Sequence, residues 1–174
     1  MFSHAERRRL NEIAAAVRAA QGQVIFDPNY RPNGWNSAAE ARAAIRALAP
    51  YVSVVMPTFT DEAALFGDAS PDHTVVRWRE WGAEQVIVKL GAQGCLVADS
   101  SSTESVAAVK VTAVVDTTGA GDAFNAGFLA ARGAGQDPVQ AARAANRVAA
   151  IVIQHRGAIV PADRTAQLKA ALGV

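Results

Sequence analysis

A single cysteine, Cys95, occurs among the 174 residues, which excludes a disulfide within the chain and fits a reducing, cytoplasmic setting. The net charge is only +1, so electrostatics give no basis for binding nucleic acid or an anionic membrane surface. No apolar run approaches membrane-spanning length, and the N-terminus lacks a signal-peptide pattern. With 51% hydrophobic and 19% charged residues, the composition is that of a soluble globular protein, and the length predicts one domain over 1–174.

Strand-like and helix-like segments alternate along the chain. The β-branched stretches 23–27, 51–56, 85–89 and 111–116 are predicted to be strands. Capping boxes at Ser3–Glu6 and Ser37–Glu40 predict that helices begin there. This order predicts an α/β fold: a doubly wound, mostly parallel sheet with helices on both faces.

The most informative stretch runs from 111 to 131, where a predicted buried strand ends on Asp116 and a small-residue turn leads into a helix. Phe124, Phe128 and Ala131 recur at helical spacing. Glycines in the turn let the backbone approach a ligand closely, and the first amides of the helix point at it. The amides of Gly119, Ala120 and Gly121 are therefore predicted to stabilise an anion.

Asp122 stands in the first turn of that helix, where a carboxylate would repel a bound phosphate. Its presence there makes sense if it takes a proton from the hydroxyl that attacks the phosphate. The alternative is that Asp122 only complements the helix dipole. From the turn alone the two interpretations are equally weighted.

The wording Asp116-Thr-Thr-Gly-Ala-Gly-Asp122-Ala-Phe124 resembles the second signature of the ribokinase-like (PfkB) carbohydrate kinases. The motif is long and specific, unlike a lone Gly-x-Gly. The resemblance implies that Asp122 is the catalytic base, that it also contacts the sugar, and that the Gly119–Gly121 amides form the anion hole.

A second ligand loop is predicted after the strand that ends at Asp27. On the residues alone, an ion pair between Asp27 and Arg31 within the loop is the slightly favoured interpretation. However, Asp27-Pro-Asn-Tyr-Arg-Pro-x-x-Trp35 resembles the corresponding segment of the 2-keto-3-deoxygluconate kinases in this family. That resemblance implies that Asn29, Tyr30 and Arg31 lie near the nucleotide and that Arg31 holds the acidic sugar and the transferred phosphate.

The magnesium position is less well defined by the sequence. Asp61 and Glu62 open a helix, and carboxylates there are usually dipole partners. Family members carry Asn-x-x-Glu at this spot to organise the Mg2+ hydration shell, whereas this chain reads Thr58-x-x-Asp61 followed by Glu62. The resemblance implies that one of these carboxylates acts on Mg2+ through water.

Three further segments bear on nucleotide binding. One segment resembles the family's Lys-x-Gly-x-x-Gly loop, which lies along the ATP phosphates and ribose; it consists of Lys89, Leu90, Gly91, Ala92, Gln93 and Gly94. The alternative is a hairpin whose glycines only satisfy turn geometry. Asn146 is expected either as a satisfied core amide or, by resemblance, on a helix beside the adenine. The loop 154–158 resembles the place where the family binds a monovalent cation such as K+.

The resemblance covers 24–160 and implies transfer of the ATP γ-phosphoryl group to 2-keto-3-deoxygluconate, giving the 6-phosphate. Two alternatives stay open: a kinase for a neutral sugar, and a non-catalytic nucleotide-binding remnant. Family members are about twice as long, and their first half carries most sugar contacts and the lid. We therefore expect weak or absent turnover from this chain alone, and an open apolar sheet edge that favours a homodimer or poor solubility.

Overall fold

The computed structural model describes residues 3–173. These residues contain a mixed five-stranded sheet in the order β1-β2-β3-β4-β5. The strands are β1 (Ile25–Phe26), β2 (Val54–Val55), β3 (Gln85–Lys89), β4 (Cys95–Ala98) and β5 (Thr103–Val106). The α-helices are α1 (His4–Ala19), α2 (Ala38–Leu48), α3 (Phe59–Phe66), α4 (Pro71–Glu80), α5 (Ala120–Gly133), α6 (Pro138–Val152) and α7 (Thr165–Leu172). No helix within this part of the chain is long and apolar enough to cross a membrane.

The chain divides into two compact units, residues 3–89 with 98–103 and residues 90–97 with 104–173. The single domain over 1–174 remains a prediction. In the first unit, β1 pairs in parallel with β2, and β2 in parallel with β3. Ile25 stands opposite Val54, and Val55 stands opposite Val86. The buried side chains of this unit include Ile45, Val55, Met56, Leu65, Trp78, Val86, Ile87 and Val88.

Both predicted capping sites begin helices in the first unit. Ser3 and Glu6 form a complete capping box at α1. Ser37 accepts from the Glu40 amide at α2, but the Glu40 carboxylate bonds to Arg7 and to the Asn36 amide, so the second box is only half formed. Strands β1 and β2 are shorter than the predicted 23–27 and 51–56. The amides of Ser53 and Met56, just outside β2, still donate to the carbonyls of Val24 and Phe26.

The second unit is built on the pairing of α5 with α6. Phe124, Phe128 and Ala131 are buried on α5, as their spacing predicts. A Cβ placed on Gly127 would lie 3.0 Å from the Ala145 Cα, so glycine there permits close helix packing. Asp137 accepts from the Gln140 amide and Pro138 occupies the first turn, which confirms the predicted start of α6.

One predicted strand is wrong. Residues 111–116 form no strand, and Val114 and Val115 are 58% and 57% exposed. The amides of Val115 and Asp116 both donate to the Ile153 carbonyl, at 2.8 and 3.2 Å. The β-branched run indicated extended backbone, but here the segment bonds to the end of α6 through a single carbonyl. Its valines therefore lie outside the core.

Candidate active site

The small-residue turn leads directly into α5, as the sequence predicts. Gly119 is the N-cap residue and adopts a left-handed conformation, with φ of 75°. The first α-helical bond runs from the Ala123 amide to the Gly119 carbonyl at 2.8 Å, so the amides of Gly121 and Asp122 precede the helical ladder. The Ala120 amide donates to the Thr117 carbonyl at 3.1 Å, so an anion would have to share or replace that bond.

Asp122 lies in the first turn of α5 and its side chain is exposed. Among residues 3–173 its carboxylate has neither an ion pair nor a hydrogen bond. The position satisfies both predicted roles, because a first-turn carboxylate complements the helix dipole and an exposed one is open to a substrate hydroxyl. Its catalytic role remains a prediction.

Asp116 is a residue whose role sequence reasoning missed. Its Oδ1 accepts from the Thr118 amide at 2.9 Å, and its Oδ2 accepts from the Gly157 amide at 2.8 Å. Hydrogen bonds from Thr118, then from Gly157, lower the pKa of Asp116 to about 2. The Asp-Thr-Thr wording could have indicated the local bond to Thr118. Nothing local could have indicated a partner 41 positions away.

The charged groups of the first unit pair differently from the predicted Asp27–Arg31 contact. Lys89, at the end of β3, is buried, and its Nζ lies 2.6 Å from Oδ2 of Asp27. The other Asp27 oxygen accepts from the Asn29 amide at 3.0 Å. The within-loop ion pair is therefore wrong, because Asp27 pairs with a cation at the end of β3, which β2 separates from β1 in the sheet order.

Arg31 instead pairs with Asp61 at 2.9 Å and donates to the Tyr30 carbonyl at 2.7 Å. The structure thus brings together two residues that the sequence assigned to different roles. The Arg31 side chain is 64% exposed, which leaves its guanidinium accessible to an incoming anion. Asn29 is exposed with φ of 39°, whereas Tyr30 is buried, and contact of either with the nucleotide remains a prediction.

Glu62 belongs to a buried charged cluster with Arg77 and Asp68. Its Oε2 accepts from Arg77 at 2.5 Å and from the Trp78 indole at 2.9 Å. Burial raises the pKa of Glu62, against the opposing effect of these two bonds. The Arg77 guanidinium also lies over Phe66 and Trp81 and pairs with Asp68 at 2.5 Å. Sequence reasoning missed this cluster, whose members lie up to 15 positions apart.

The two predicted magnesium residues differ in their availability. No group of three or more potential metal-ligating side chains occurs among the described residues. Asp61 is partly exposed and paired with Arg31. Glu62 is fully buried, and its Oε1 has no hydrogen-bond partner in this part of the chain. Accessibility favours Asp61, and both assignments remain predictions.

The loop after Lys89 forms a 3-10 turn over Gly91–Gln93. The Leu90 amide donates to the Gly94 carbonyl at 2.8 Å, which closes the loop. Gly94 has φ of 96°, and a Cβ there would lie 2.0 Å from the Val106 carbonyl oxygen. Glycine at position 94 is thus required by its φ and by packing, while nucleotide contact by the exposed residues Gly91, Ala92 and Gln93 remains a prediction.

Asn146 is a buried amide on α6 with protein partners. Its Nδ2 donates to the carbonyls of Val106 and Ala107, at 3.4 and 3.2 Å. These contacts match the expected core amide, and its alternative place beside an adenine remains a prediction. Cys95 nearby is buried, and burial raises the pKa of its thiol to about 12, which disfavours the thiolate form.

The predicted site residues therefore form two groups, one in each unit. The first unit holds the Asn29–Arg31 loop, Asp61, Glu62 and Lys89. The second unit holds the 90–94 loop, the Gly119 turn with Asp122, and Asn146.

The sequence of the chain matches the model of the pfkB family carbohydrate kinases over residues 3–165. That span includes the Gly119 turn and Asp122, as well as the Arg31 loop. The chain belongs to the PfkB family. Its resemblance to that family, carried by the Asp116–Phe124 motif, is thereby confirmed.

Among the PfkB relatives, the 2-dehydro-3-deoxygluconokinase of Dickeya dadantii (strain 3937) is 39% identical over 166 residues, covering 94% of this chain and 54% of that protein. Its name denotes a kinase for the sugar acid also called 2-keto-3-deoxygluconate. The chain thus spans about half the length of the curated relatives it matches.

Solved structures of PfkB-like kinases share the fold. A fructokinase from Vibrio cholerae O395, bound to fructose, ADP and calcium ion, aligns with a TM-score of 0.85 and 30% identity over 98% of this chain and 57% of its own. A ribokinase II candidate from E. coli, in complex with ATP and Mg2+, aligns with a TM-score of 0.79 and 29% identity over 90% and 50%. The ribokinase-like fold class is confirmed.

Proposed function

We propose that this chain carries the nucleotide-binding and catalytic part of an ATP-dependent sugar-acid kinase that phosphorylates 2-keto-3-deoxygluconate at its primary hydroxyl, giving the 6-phosphate. The observation that carries the proposal is the exposed Asp122 carboxylate in the first turn of α5, three residues after the left-handed Gly119 cap. That arrangement places a proton acceptor beside backbone amides that attract a phosphoryl group.

In this reaction Asp122 takes the proton of the sugar hydroxyl while the hydroxyl oxygen bonds to the γ-phosphorus of ATP. The bond from the γ-phosphorus to the bridging oxygen of ADP breaks, and ADP keeps that electron pair. The amides of Gly119, Ala120 and Gly121 stabilise the negative charge that develops on the phosphoryl oxygens. Asp122 later releases the proton to solvent.

The other predicted site residues are assigned to charge neutralisation and nucleotide contact. Arg31 is exposed and binds the sugar carboxylate or the transferred phosphate by exchanging its contact with Asp61. Lys89 and the 90–94 loop are assigned to the nucleotide, with Asn29, Tyr30 and Asn146. Mg2+ bound to the ATP phosphates would lower their negative charge. Asp61 would act on this ion through water, and so would Glu62, which is less accessible. We also assign a K+ site to the loop 154–158.

Relatives named for the sugar acid support this substrate over a neutral sugar. The fructose-bound structural neighbour makes a neutral sugar the second candidate. Because the chain spans about half of its relatives, we also infer that turnover by this chain alone is weak. A non-catalytic nucleotide-binding role is then the alternative function.

A homodimer is proposed from the sheet edge. Within residues 3–173, β1 stands first in the sheet and pairs only with β2. Ile25 on this strand is 43% exposed, and Leu10 and Ile13 on α1 are 44% and 50% exposed. An apolar edge strand with unpaired backbone groups favours pairing with a second copy.

The test is calorimetric binding of MgATP together with a phosphoryl-transfer assay on 2-keto-3-deoxygluconate and fructose. Asp122→Asn should keep nucleotide binding and lower any turnover at least about a hundredfold. Asp72→Asn is the matched control, because Asp72 is also an exposed first-turn carboxylate, in α4, and shares only the dipole effect. Equal losses in both variants would leave the dipole interpretation of Asp122 standing.

Gly121→Val tests the anion hole separately, since it puts a branched side chain on one of the residues whose amides precede the helical ladder. We expect MgATP binding to be lost. Gly133→Val on the same helix is its control, because a Cβ at Gly133 meets no atom within 4 Å. Binding that survives Gly121→Val would place the phosphates elsewhere, and phosphorylation of fructose in preference to the sugar acid would overturn the substrate assignment.

A further inference from the structure

The turn that precedes α5 is tied to a segment far away in the sequence. Asp116 accepts one hydrogen bond at each carboxylate oxygen, from the Thr118 amide at 2.9 Å and the Gly157 amide at 2.8 Å. The first bond closes the start of the turn. The second joins it to the segment that follows α6.

The same two segments meet at a second point. A Cβ built on Gly119 would lie 2.5 Å from the Ala158 Cβ and 3.0 Å from its Cα, so the Gly119 backbone packs directly against Ala158. The amides of Val115 and Asp116 also donate to the Ile153 carbonyl at the end of α6. The turn is thus held at its beginning and at its glycine cap by residues 153–158.

We propose that Asp116 is a positioning residue, whose carboxylate holds the turn 117–121 against Gly157 and Ala158 so that the amides of Gly119–Gly121 are fixed where the phosphoryl group binds. The inference rests on the proposed function, because the amides matter only if an anion binds there. It assigns a task to a carboxylate that neither takes a proton nor touches the sugar. Preorganised donors stabilise developing charge without reorganising during the reaction.

The chemistry of the contact explains why a carboxylate is needed. Two backbone N–H groups converge on opposite oxygens of Asp116. An asparagine offers one acceptor oxygen and one amino group, so it can satisfy only one of the two donors. Its amino group would face the other N–H. The isosteric change Asp116→Asn should therefore free one side of the turn while keeping the shape of the side chain.

The first measurement is amide hydrogen exchange on the free protein, which needs no ligand. The reporters are the Ala120 amide, which donates to Thr117, and the Ala123 amide, which donates to Gly119. Asp116→Asn should accelerate exchange at both by about tenfold, the effect of losing one charged hydrogen bond. Unchanged exchange in the middle of α6, which belongs to the same unit, verifies that the variant is folded.

Asp99→Asn is the matched control. Asp99 is also a turn carboxylate that accepts backbone amides, from Ser101 at 2.8 Å and Ser102 at 3.0 Å. Both bonds end on the same oxygen, so asparagine can keep them, and exchange at Ala120 and Ala123 should not change. If Asp116→Asn fails to fold, Ala158→Gly loosens the same turn from its other side, and we expect a smaller acceleration at the same two amides.

The second measurement is the Kd for MgATP. It should rise about tenfold in Asp116→Asn and stay unchanged in Asp99→Asn. Unchanged exchange at Ala120 and Ala123 would overturn the inference, and so would faster exchange with an unchanged Kd, since Asp116 would then be merely structural. A parent chain that binds no MgATP would overturn the proposed function, while the exchange result would still decide whether Asp116 holds the turn.

Discussion

Gly94 shows at the scale of one residue how tightly the backbone constrains the sequence. Its φ of 96° is one that side chains rarely adopt, and a Cβ would lie 2.0 Å from the Val106 oxygen and 2.5 Å from the Ala108 nitrogen. Both neighbours are backbone atoms, which cannot move aside as a side-chain end can. The glycine is therefore required whether or not a nucleotide contacts the loop.

Replacing Gly94 by alanine should lower the free energy of unfolding by about 3 kcal/mol, from the strained φ and the steric overlap together. Gly34→Ala is the control, because a Cβ at Gly34 meets nothing within 4 Å and its φ is not left-handed. Urea unfolding followed by circular dichroism measures both. Equal stability of the two variants would contradict the packing role of Gly94.

At the scale of the element, the charged side chain of Arg77 joins α4 to α3 and to the connection between these helices. Arg77 on α4 pairs with the fully buried Glu62 on α3 and with Asp68 in the connection between these helices. It also lies over the rings of Phe66 and Trp81, at 4.0 and 4.6 Å from their centroids. Loss of the guanidinium would leave Glu62 buried, with the Trp78 indole as its one remaining hydrogen-bond partner among residues 3–173.

Arg77→Ala should therefore cost about 3–5 kcal/mol of unfolding free energy, the usual effect of an uncompensated buried charge. Arg79→Ala, two residues further along the same helix, should cost less than about 0.5 kcal/mol, since Arg79 is exposed and its hydrogen bond to the Ser102 carbonyl is long, at 3.4 Å. Thermal and urea unfolding provide the comparison. A small effect at Arg77 would mean that Glu62 is protonated or solvated in the folded chain.

Because the Asp116 carboxylate attaches the turn 117–121 to the segment after α6, we expect the free energy of unfolding to depend on pH. The pKa of Asp116 falls from 3.8 to about 2 on folding, so its stabilising contribution is complete above about pH 4 and is lost as the pH falls toward 2. The stability difference between the parent and Asp116→Asn should shrink over that window. Unfolding curves at pH 2, 3, 4 and 6 test this, and a difference that grows on acidification would contradict it.

At the scale of the molecule, the exposed edge of the sheet predicts self-association. Ile25 lies on β1, which has no second neighbour among residues 3–173. Ile25→Lys should shift the chain toward the monomer in sedimentation velocity, because a charge on an edge strand opposes pairing. Val76→Lys is the control: Val76 is also exposed, at 54%, but lies on α4 and away from any strand edge. Equal effects would indicate general solubility and not edge pairing.

The sequence alone determined the features that depend on neighbours a few positions apart. The start of α1 at Ser3, the start of α6 at Asp137 and the buried stripe of α5 follow from capping chemistry and helical spacing. The family followed from one contiguous motif, Asp116–Phe124, because a glycine turn, a helix start and a carboxylate together are specific. These local features predicted the fold class and most of the candidate site.

The tertiary structure decided which groups meet across long sequence separations. Asp27 pairs with Lys89 and not with Arg31, and Glu62 is buried beside Arg77. The segment 111–116 forms no strand and donates hydrogen bonds to the Ile153 carbonyl. The sequence alone is compatible with several partners in each case. Any carboxylate can pair with any cation, and a β-branched run only favours an extended backbone without naming the segment it bonds to. The choice depends on which segments packing brings together, and that information is not present in local patterns.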